Sequence, residues 1–108
     1  MATSYKVLAQ QATTTGLVSM YTVPAATETI ISSIVVANIS ATDRTYRITV
    51  QPNNATLAQK HYIAYDVTSK ANTTTAYTLG ITLDATDQVY ILGSTTDLSI
   101  SLFGSEIA

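Results

Sequence analysis

The stretch RTYRITVQ, residues 44–51, alternates polar and apolar side chains from its second residue onward. A period of two places successive side chains on opposite faces of a β-strand, so this stretch predicts a strand with one face against a core. The predicted buried face consists of Tyr46, Ile48 and Val50. The same alternation recurs in AYTLGITL, residues 76–83, and in DLSISLF, residues 97–103. Three such segments, without sustained helical spacing, predict an all-β protein.

Five further segments of weaker alternation raise the predicted number of strands to about eight: residues 5–9, 17–23, 27–40, 60–66 and 87–92. The segment TETIISSIVVANIS, residues 27–40, has apolar residues on both faces, as in a central covered strand or a strand that bends and changes face. Turn-forming residues separate the segments by roughly 8–12 residues, which is typical of sandwiches and barrels. We therefore predict one domain over residues 1–108, a single antiparallel β-sandwich of jelly-roll or Ig-like type.

The composition supports this fold class and indicates an unusual surface. Hydrophobic residues make up 46% of the 108 residues, whereas charged residues make up only 11%, against about 25% in typical domains. Threonine and serine, with 20 and 10 residues, take the place of the missing charges. Threonine favours strands and still presents a hydroxyl group to water, so a sheet surface of low charge is expected.

The charge and the residue inventory argue against several classes of partner. A net charge of −2 with five scattered basic residues lacks the basic cluster that a nucleic-acid backbone requires. The absence of cysteine removes disulfides and thiolate ligands. The beginning of the sequence has no signal-peptide pattern, and no apolar run approaches the roughly 18 residues of a membrane span. We expect synthesis in the cytoplasm and no nucleic-acid or membrane partner.

The segment KHYIAYD, residues 60–66, contains the only histidine of the chain. As a strand it would place His61, Ile63 and Tyr65 on one face and Tyr62 on the other. No second histidine and no Gly-x-Ser-x-Gly nucleophile turn accompany it. A structural role for His61 is therefore expected, with a hydrolase using His61 as the minor alternative. We predict that the protein has no catalytic residues and is not an enzyme.

Metal and cofactor sites are not expected either. Asp84, Asp87 and Asp97 lack the dense alternate-position oxygens of a calcium loop, so they are read as ordinary turn residues. The chain has four glycines, and they do not form a phosphate-binding loop: Gly16, Gly80, Gly93 and Gly104.

Assembly is the function that the remaining residues favour. Tyrosine buries an apolar ring while its hydroxyl stays hydrogen-bonded, which suits interfaces, and the chain has seven tyrosines but one Phe and no Trp. Tyr62, Tyr65, Tyr77 and His61 are the candidate interface residues. A Ser/Thr/Ala-rich sheet can also pack on another subunit with little desolvation of charge, so self-association is expected.

Four segments together resemble the small β-rich virion proteins of tailed bacteriophages, especially those infecting cyanobacteria and other aquatic bacteria. The segments span most of the chain: YTVPAATETIISSIVVANIS (21–40), KHYIAYD (60–66), LGITLDATDQVYI (79–91) and LSISLFGSEIA (98–108). The resemblance implies a structural component of the virion, made in the host cytoplasm, and it carries over no catalytic residue.

Within that class, a capsid decoration or cement protein that stabilises the head is the leading hypothesis. Its partners would be further copies of itself, with a trimer favoured, and the major capsid protein or other virion proteins. The alternative is a tail, baseplate or fibre-associated adaptor, in which exposed Tyr62, Tyr65 or Tyr77 would stack on host surface glycans.

Overall fold

A computed structural model of the protein describes residues 2–108. Eight β-strands make up most of this part of the chain, and two short 3-10 turns, Pro52–Asn54 and Gln59–His61, lie between the fourth and fifth strands. The strands are β1 (Thr3–Ala12), β2 (Val18–Thr22), β3 (Glu28–Asn38), β4 (Arg44–Gln51), β5 (Tyr62–Ser69), β6 (Thr74–Leu83), β7 (Gln88–Gly93) and β8 (Leu98–Ile107). Within residues 2–108, no helix has the length and apolar character needed to cross a membrane.

The strands form two four-stranded antiparallel sheets that pack face to face. One sheet, called sheet A, has the order β1-β8-β3-β6, and the other, sheet B, has the order β2-β7-β4-β5. Only β4 and β5 are consecutive strands that pair with each other, and every other connection crosses between the sheets. This is the jelly-roll arrangement rather than the Ig-like one. The predicted all-β sandwich of about eight strands is confirmed, and the strand order selects between its two forms.

The core lies between the sheets and is supplied by the predicted alternating faces. Leu98, Ile100 and Leu102 of β8 are fully buried, and Tyr46 and Ile48 of β4 are buried across from them. β8 lies between β1 and β3 and forms backbone hydrogen bonds with both strands. Burying one aliphatic side chain of this size contributes about 1.5–3 kcal/mol to stability.

The strand β3 has apolar residues on both faces because its alternation changes partway along. Thr29 and Ile31 are buried in the first half, and Ile34 and Val36 in the second, so the buried positions shift from odd to even numbers. The register against both neighbouring strands is irregular between Ile31 and Ser33. A β-bulge re-aims the side chains that follow it. Of the two alternatives that the sequence left open, the bending strand is therefore correct.

Tyrosine hydroxyl groups connect the two sheets at separate points. The Tyr46 hydroxyl of β4 contacts the Tyr77 hydroxyl of β6. The Tyr21 hydroxyl of β2 contacts a carboxylate oxygen of Glu106 in β8 and lies 2.8 Å from Thr29 Oγ1 in β3. Burial, reinforced by Glu106, raises the pKa of Tyr21 to about 12. Burial also raises the pKa of Tyr46. Tyr21 and Tyr46 therefore stay protonated at neutral pH and remain able to donate a hydrogen bond.

Candidate functional site

A β-bulge in strand β5 shapes the outer face of sheet B. Arg47 of β4 lies opposite two successive residues of β5, Tyr65 and Asp66, because β5 contains one more residue than β4 over this part of the ladder. Asp66 has a φ of 50°, in the left-handed region. A non-glycine residue rarely adopts this conformation within a strand, and such strained positions recur at functional sites. The bulge turns both side chains outward, toward Arg47.

The bulge brings two of the predicted interface tyrosines together. The rings of Tyr62 and Tyr65 meet edge to face, with centroids 4.9 Å apart and an interplanar angle of 88°. Residues three apart would lie on opposite faces of a regular strand, so this contact depends on the irregular backbone between them. Tyr65 is 57% exposed and forms the outer part of the pair.

Arg47 and Asp66 hold the aromatic pair in place. The Arg47 Nε and Nη2 atoms donate to the two Asp66 carboxylate oxygens at 2.7 and 3.1 Å. The same guanidinium carbon lies 4.1 Å from the centre of the Tyr65 ring, a cation–π contact. Arg47 holds the pKa of Asp66 below its ordinary value, and Asp66 raises the pKa of Arg47. Both groups are therefore charged across the physiological pH range and leave no net charge at this position.

The tyrosine pair forms one wall of an open groove of about 620 Å³. The opposite wall comes from the loop between β4 and β5, which contributes Leu57, Ala58 and Gln59. This loop folds over the outer face of β4 near its end, where the Gln51 Nε2 atom donates to the Ala55 carbonyl at 2.9 Å. The groove is termed the aromatic groove and comprises Leu57, Ala58, Gln59, Tyr62 and Tyr65.

His61 is the last residue of the same loop and does not lie on a strand. It ends the 3-10 turn Gln59–His61, is 7% exposed, and accepts a hydrogen bond at Nδ1 from the Ala58 backbone N–H at 2.9 Å. The predicted strand over residues 60–66 therefore begins two residues late, at Tyr62. The prediction that His61 shares a strand face with Tyr65 is wrong, because the turn rotates His61 inward. Its role at an interface stays a prediction.

Tyr77 is separated from the aromatic groove by its position in the other sheet. Its hydroxyl meets that of Tyr46, and its ring lines a small depression at the β5–β6 edge, next to exposed Ile63 and Leu79. Of the four predicted residues, the structure thus brings Tyr62 and Tyr65 together and places Tyr77 elsewhere.

The aspartates set aside as turn residues have structural partners. Asp97 accepts from Arg44 Nε and Nη2 at 3.1 and 2.9 Å. Asp87 accepts from the backbone N–H groups of Asn53 and Asp84, both at 2.8 Å. Within residues 2–108, no group of three acidic, histidine or cysteine side chains is arranged to hold a metal ion.

The prediction from sequence missed Arg47, Asp66 and the loop residues of the groove. Arg47 carried a usable signal, since alternation places it on the outward face of β4, next to a strand with two tyrosines. Asp66 carried none, because nothing in KHYIAYD indicates that its backbone adopts a positive φ. Leu57 and Gln59 lie in a loop whose path depends on contacts with β4.

Comparison with solved structures finds chains of similar fold in two structures of a virus. A chain in the crystal structure of the T13 viral particle of infectious bursal disease virus superposes with a TM-score of 0.55 at 10% identity, covering 97% of this chain and 30% of that chain. A chain of the Gx strain of the same virus gives a TM-score of 0.54 at 15% identity, covering 97% and 32%. This chain spans just under a third of the length of either virus chain. At such identities the likeness concerns the fold.

No protein-family model matches this sequence, and no curated protein sequence is significantly similar to it.

Proposed function

We propose that this chain is a non-enzymatic structural protein of a virion, and specifically a capsid decoration protein of a tailed bacteriophage. The observation that carries the proposal is the jelly-roll strand order over the described chain, in a fold similar to that of chains from a virus particle. The resemblance of four segments to phage virion proteins supports the phage assignment. A fold alone hosts many functions, so the surface must also suit assembly.

The surface supports assembly through its low charge and exposed apolar side chains. Only 11% of the residues are charged, so contact with another subunit desolvates few ions. β1 is a long edge strand of sheet A with one side unpaired, and unpaired strand edges readily add a strand from another chain. Among residues 2–108, eight large apolar or aromatic side chains are exposed: Tyr5, Val7, Ile30, Ile39, Leu57, Ile63, Tyr65 and Leu79.

The proposed partners are further copies of this chain, as a trimer, and the major capsid protein. Closed symmetry lets one surface patch satisfy every copy, and a trimer fits the local three-fold positions of an icosahedral shell. Contacts that form only with the folded protein raise its melting temperature by mass action. Sedimentation equilibrium of the purified protein should therefore give three times the 11.5 kDa chain mass, and a monomer at all concentrations would contradict the trimer.

Counting copies in purified virions tests the decoration role directly. Quantitative mass spectrometry against the major capsid protein should find copies on the order of hundreds, as repeated shell positions require. A few dozen copies or fewer, with antibody label at the tail, would replace decoration by the tail, baseplate or fibre-associated adaptor. The Tyr62–Tyr65 pair, with Tyr65 exposed, is the observation that favours this second candidate. Absence from the virion would overturn both.

The proposal that the chain is not an enzyme is tested at His61. Its Nδ1 atom is already engaged by the Ala58 N–H, so we assign it a role in shaping the loop. The purified protein should not hydrolyse ester, peptide or glycoside substrates. An activity that His61→Gln abolishes while the far-ultraviolet circular dichroism spectrum stays unchanged would contradict the proposal.

A further inference from the structure

We propose that the aromatic groove on the outer face of sheet B is a binding site for a neutral saccharide. This inference does not depend on the proposed decoration role, and it specifies a site and a ligand class for the glycan contact that the adaptor candidate includes. The groove joins a tyrosine pair, of which Tyr65 is exposed, with a loop wall that carries an amide side chain. The charge-compensated Arg47–Asp66 pair lies against Tyr65. None of these features is needed to form the core, which lies on the opposite face of the sheet.

The first argument is that the aromatic pair is preorganised. Asp66 adopts φ 50° in the middle of a strand, and the β-bulge there places Tyr65 and Asp66 together opposite Arg47. Arg47 in turn binds Asp66 through two hydrogen bonds and covers part of the Tyr65 ring. A side chain held on several sides loses little freedom when a ligand binds, so the fixed geometry favours recognition.

The second argument concerns the size and shape of the site. The volume of about 620 Å³ falls within the range of about 300–1,000 Å³ that is typical of small-molecule sites. The walls are formed by one loop and by strand β5, and Tyr62 and Tyr65 project from the face of the sheet. A site of this form suits a ligand of one or two rings better than an extended chain, which usually pairs with a strand edge.

The third argument concerns the chemistry of the walls. The rings of Tyr62 and Tyr65 and the side chain of Leu57 offer apolar surface, against which the C–H faces of a pyranose ring pack. The Gln59 amide and the tyrosine hydroxyls offer donors and acceptors, which the hydroxyl groups of a sugar require. Because the Arg47 charge is compensated by Asp66, the groove does not select for an anion. A neutral saccharide satisfies all of these groups together.

The test measures binding of defined disaccharides to the purified protein. Maltose, cellobiose and lactose serve as neutral probes, and sialyllactose serves as an acidic one, with binding followed by saturation-transfer NMR and by tyrosine fluorescence. We expect at least one neutral disaccharide to bind in roughly the millimolar range or tighter. Tyr65→Ala should weaken that binding by about tenfold or more, as expected when an aromatic anchor is truncated, whereas Tyr65→Phe should retain most of it.

Matched variants separate the groove from the rest of the surface. Tyr5 is 85% exposed on edge strand β1 of the other sheet, so Tyr5→Ala should bind like the unchanged protein. Asp66→Asn should weaken binding while the protein stays folded, because it loosens Arg47 and with it the Tyr65 ring. Circular dichroism and the melting temperature of each variant confirm folding.

Three outcomes would overturn the saccharide assignment. They are the absence of binding by any neutral disaccharide, binding that Tyr65→Ala leaves unchanged, and tighter binding of a proline-rich peptide than of any sugar. The last would assign the groove to a peptide, since aromatic-lined grooves also bind polyproline helices. None of these outcomes alters the copy number in virions, so the proposed virion role is tested separately.

Discussion

Removing one hydroxyl of the Tyr46–Tyr77 contact should cost more stability when the tyrosine left without a partner is the buried one. Tyr46 is 1% exposed, whereas Tyr77 is half-buried at the β5–β6 edge. In Tyr77→Phe, the Tyr46 hydroxyl stays buried without its partner, at a cost of about 1–3 kcal/mol. In Tyr46→Phe, the Tyr77 hydroxyl can turn to water, and only the net value of a hydrogen bond is lost, about 0.5–1.5 kcal/mol.

The double variant Tyr46→Phe/Tyr77→Phe should cost less than the sum of the two single variants. It leaves no hydroxyl buried without a partner, so its cost should be close to that of Tyr46→Phe alone. The expected coupling therefore equals the cost of Tyr77→Phe, about 1–3 kcal/mol, within the range measured for contacting residues. In a domain of this size, 1 kcal/mol corresponds to a change of about 4 °C or more in melting temperature.

Urea unfolding followed by circular dichroism measures these differences. The slope of the unfolding free energy against urea concentration should be the same for all variants. An unchanged slope means that the substitutions alter the stability of the fold and not the compactness of the unfolded state. Tyr5→Phe is the control, since Tyr5 is 85% exposed, and it should change stability by less than about 0.5 kcal/mol. Equal costs for the two single variants, with an additive double variant, would refute the reasoning from burial.

Two further predictions concern packing and pH. Gly104→Ala should destabilise the protein by roughly 1–3 kcal/mol, because the added Cβ would lie 2.0 Å from the Ile30 carbonyl oxygen. Gly80→Ala is the control, since its Cβ would meet nothing within 4 Å. Equal melting temperatures for the two variants would contradict this prediction. Lys6 Nζ lies 2.6 Å from Glu106 Oε1, and Lys6, followed by Tyr21, lowers the pKa of Glu106. The ionised Glu106 therefore stabilises the fold above its unfolded-state pKa of about 4.3. This stabilisation is lost as the pH falls through the lower folded-state pKa. Glu106→Gln should therefore be less stable than the unchanged protein at neutral pH and should lose less stability on acidification. Urea unfolding at several pH values measures both differences. Parallel profiles of unfolding free energy against pH would contradict the ion-pair argument.

Local alternation carried enough information to predict the strands and much of the core. Residues 44–51 were predicted as a strand with Tyr46, Ile48 and Val50 buried. Arg44–Gln51 is β4, in which Tyr46 and Ile48 are buried and Val50 is only partly buried against the core. The alternation in residues 97–103 likewise places Leu98, Ile100 and Leu102 on one face, and all three are fully buried. These predictions succeed because β4 and β8 have no extra residue against their partners, so the direction of each side chain follows the alternation. The low charge and the absence of sustained helical spacing likewise follow from the sequence alone.

Tertiary structure alone decided how the strands pair and where the candidate site forms. The choice of jelly roll over an Ig-like sandwich depends on backbone hydrogen bonds between distant segments, such as β1 with β8, and no local pattern encodes them. The aromatic groove depends on the positive φ of Asp66, on Arg47 from another strand, and on a loop that folds over β4 and buries His61. Each of these outcomes is a compromise between burial and hydrogen bonding across the whole sandwich, and a side chain's neighbours in sequence do not determine it.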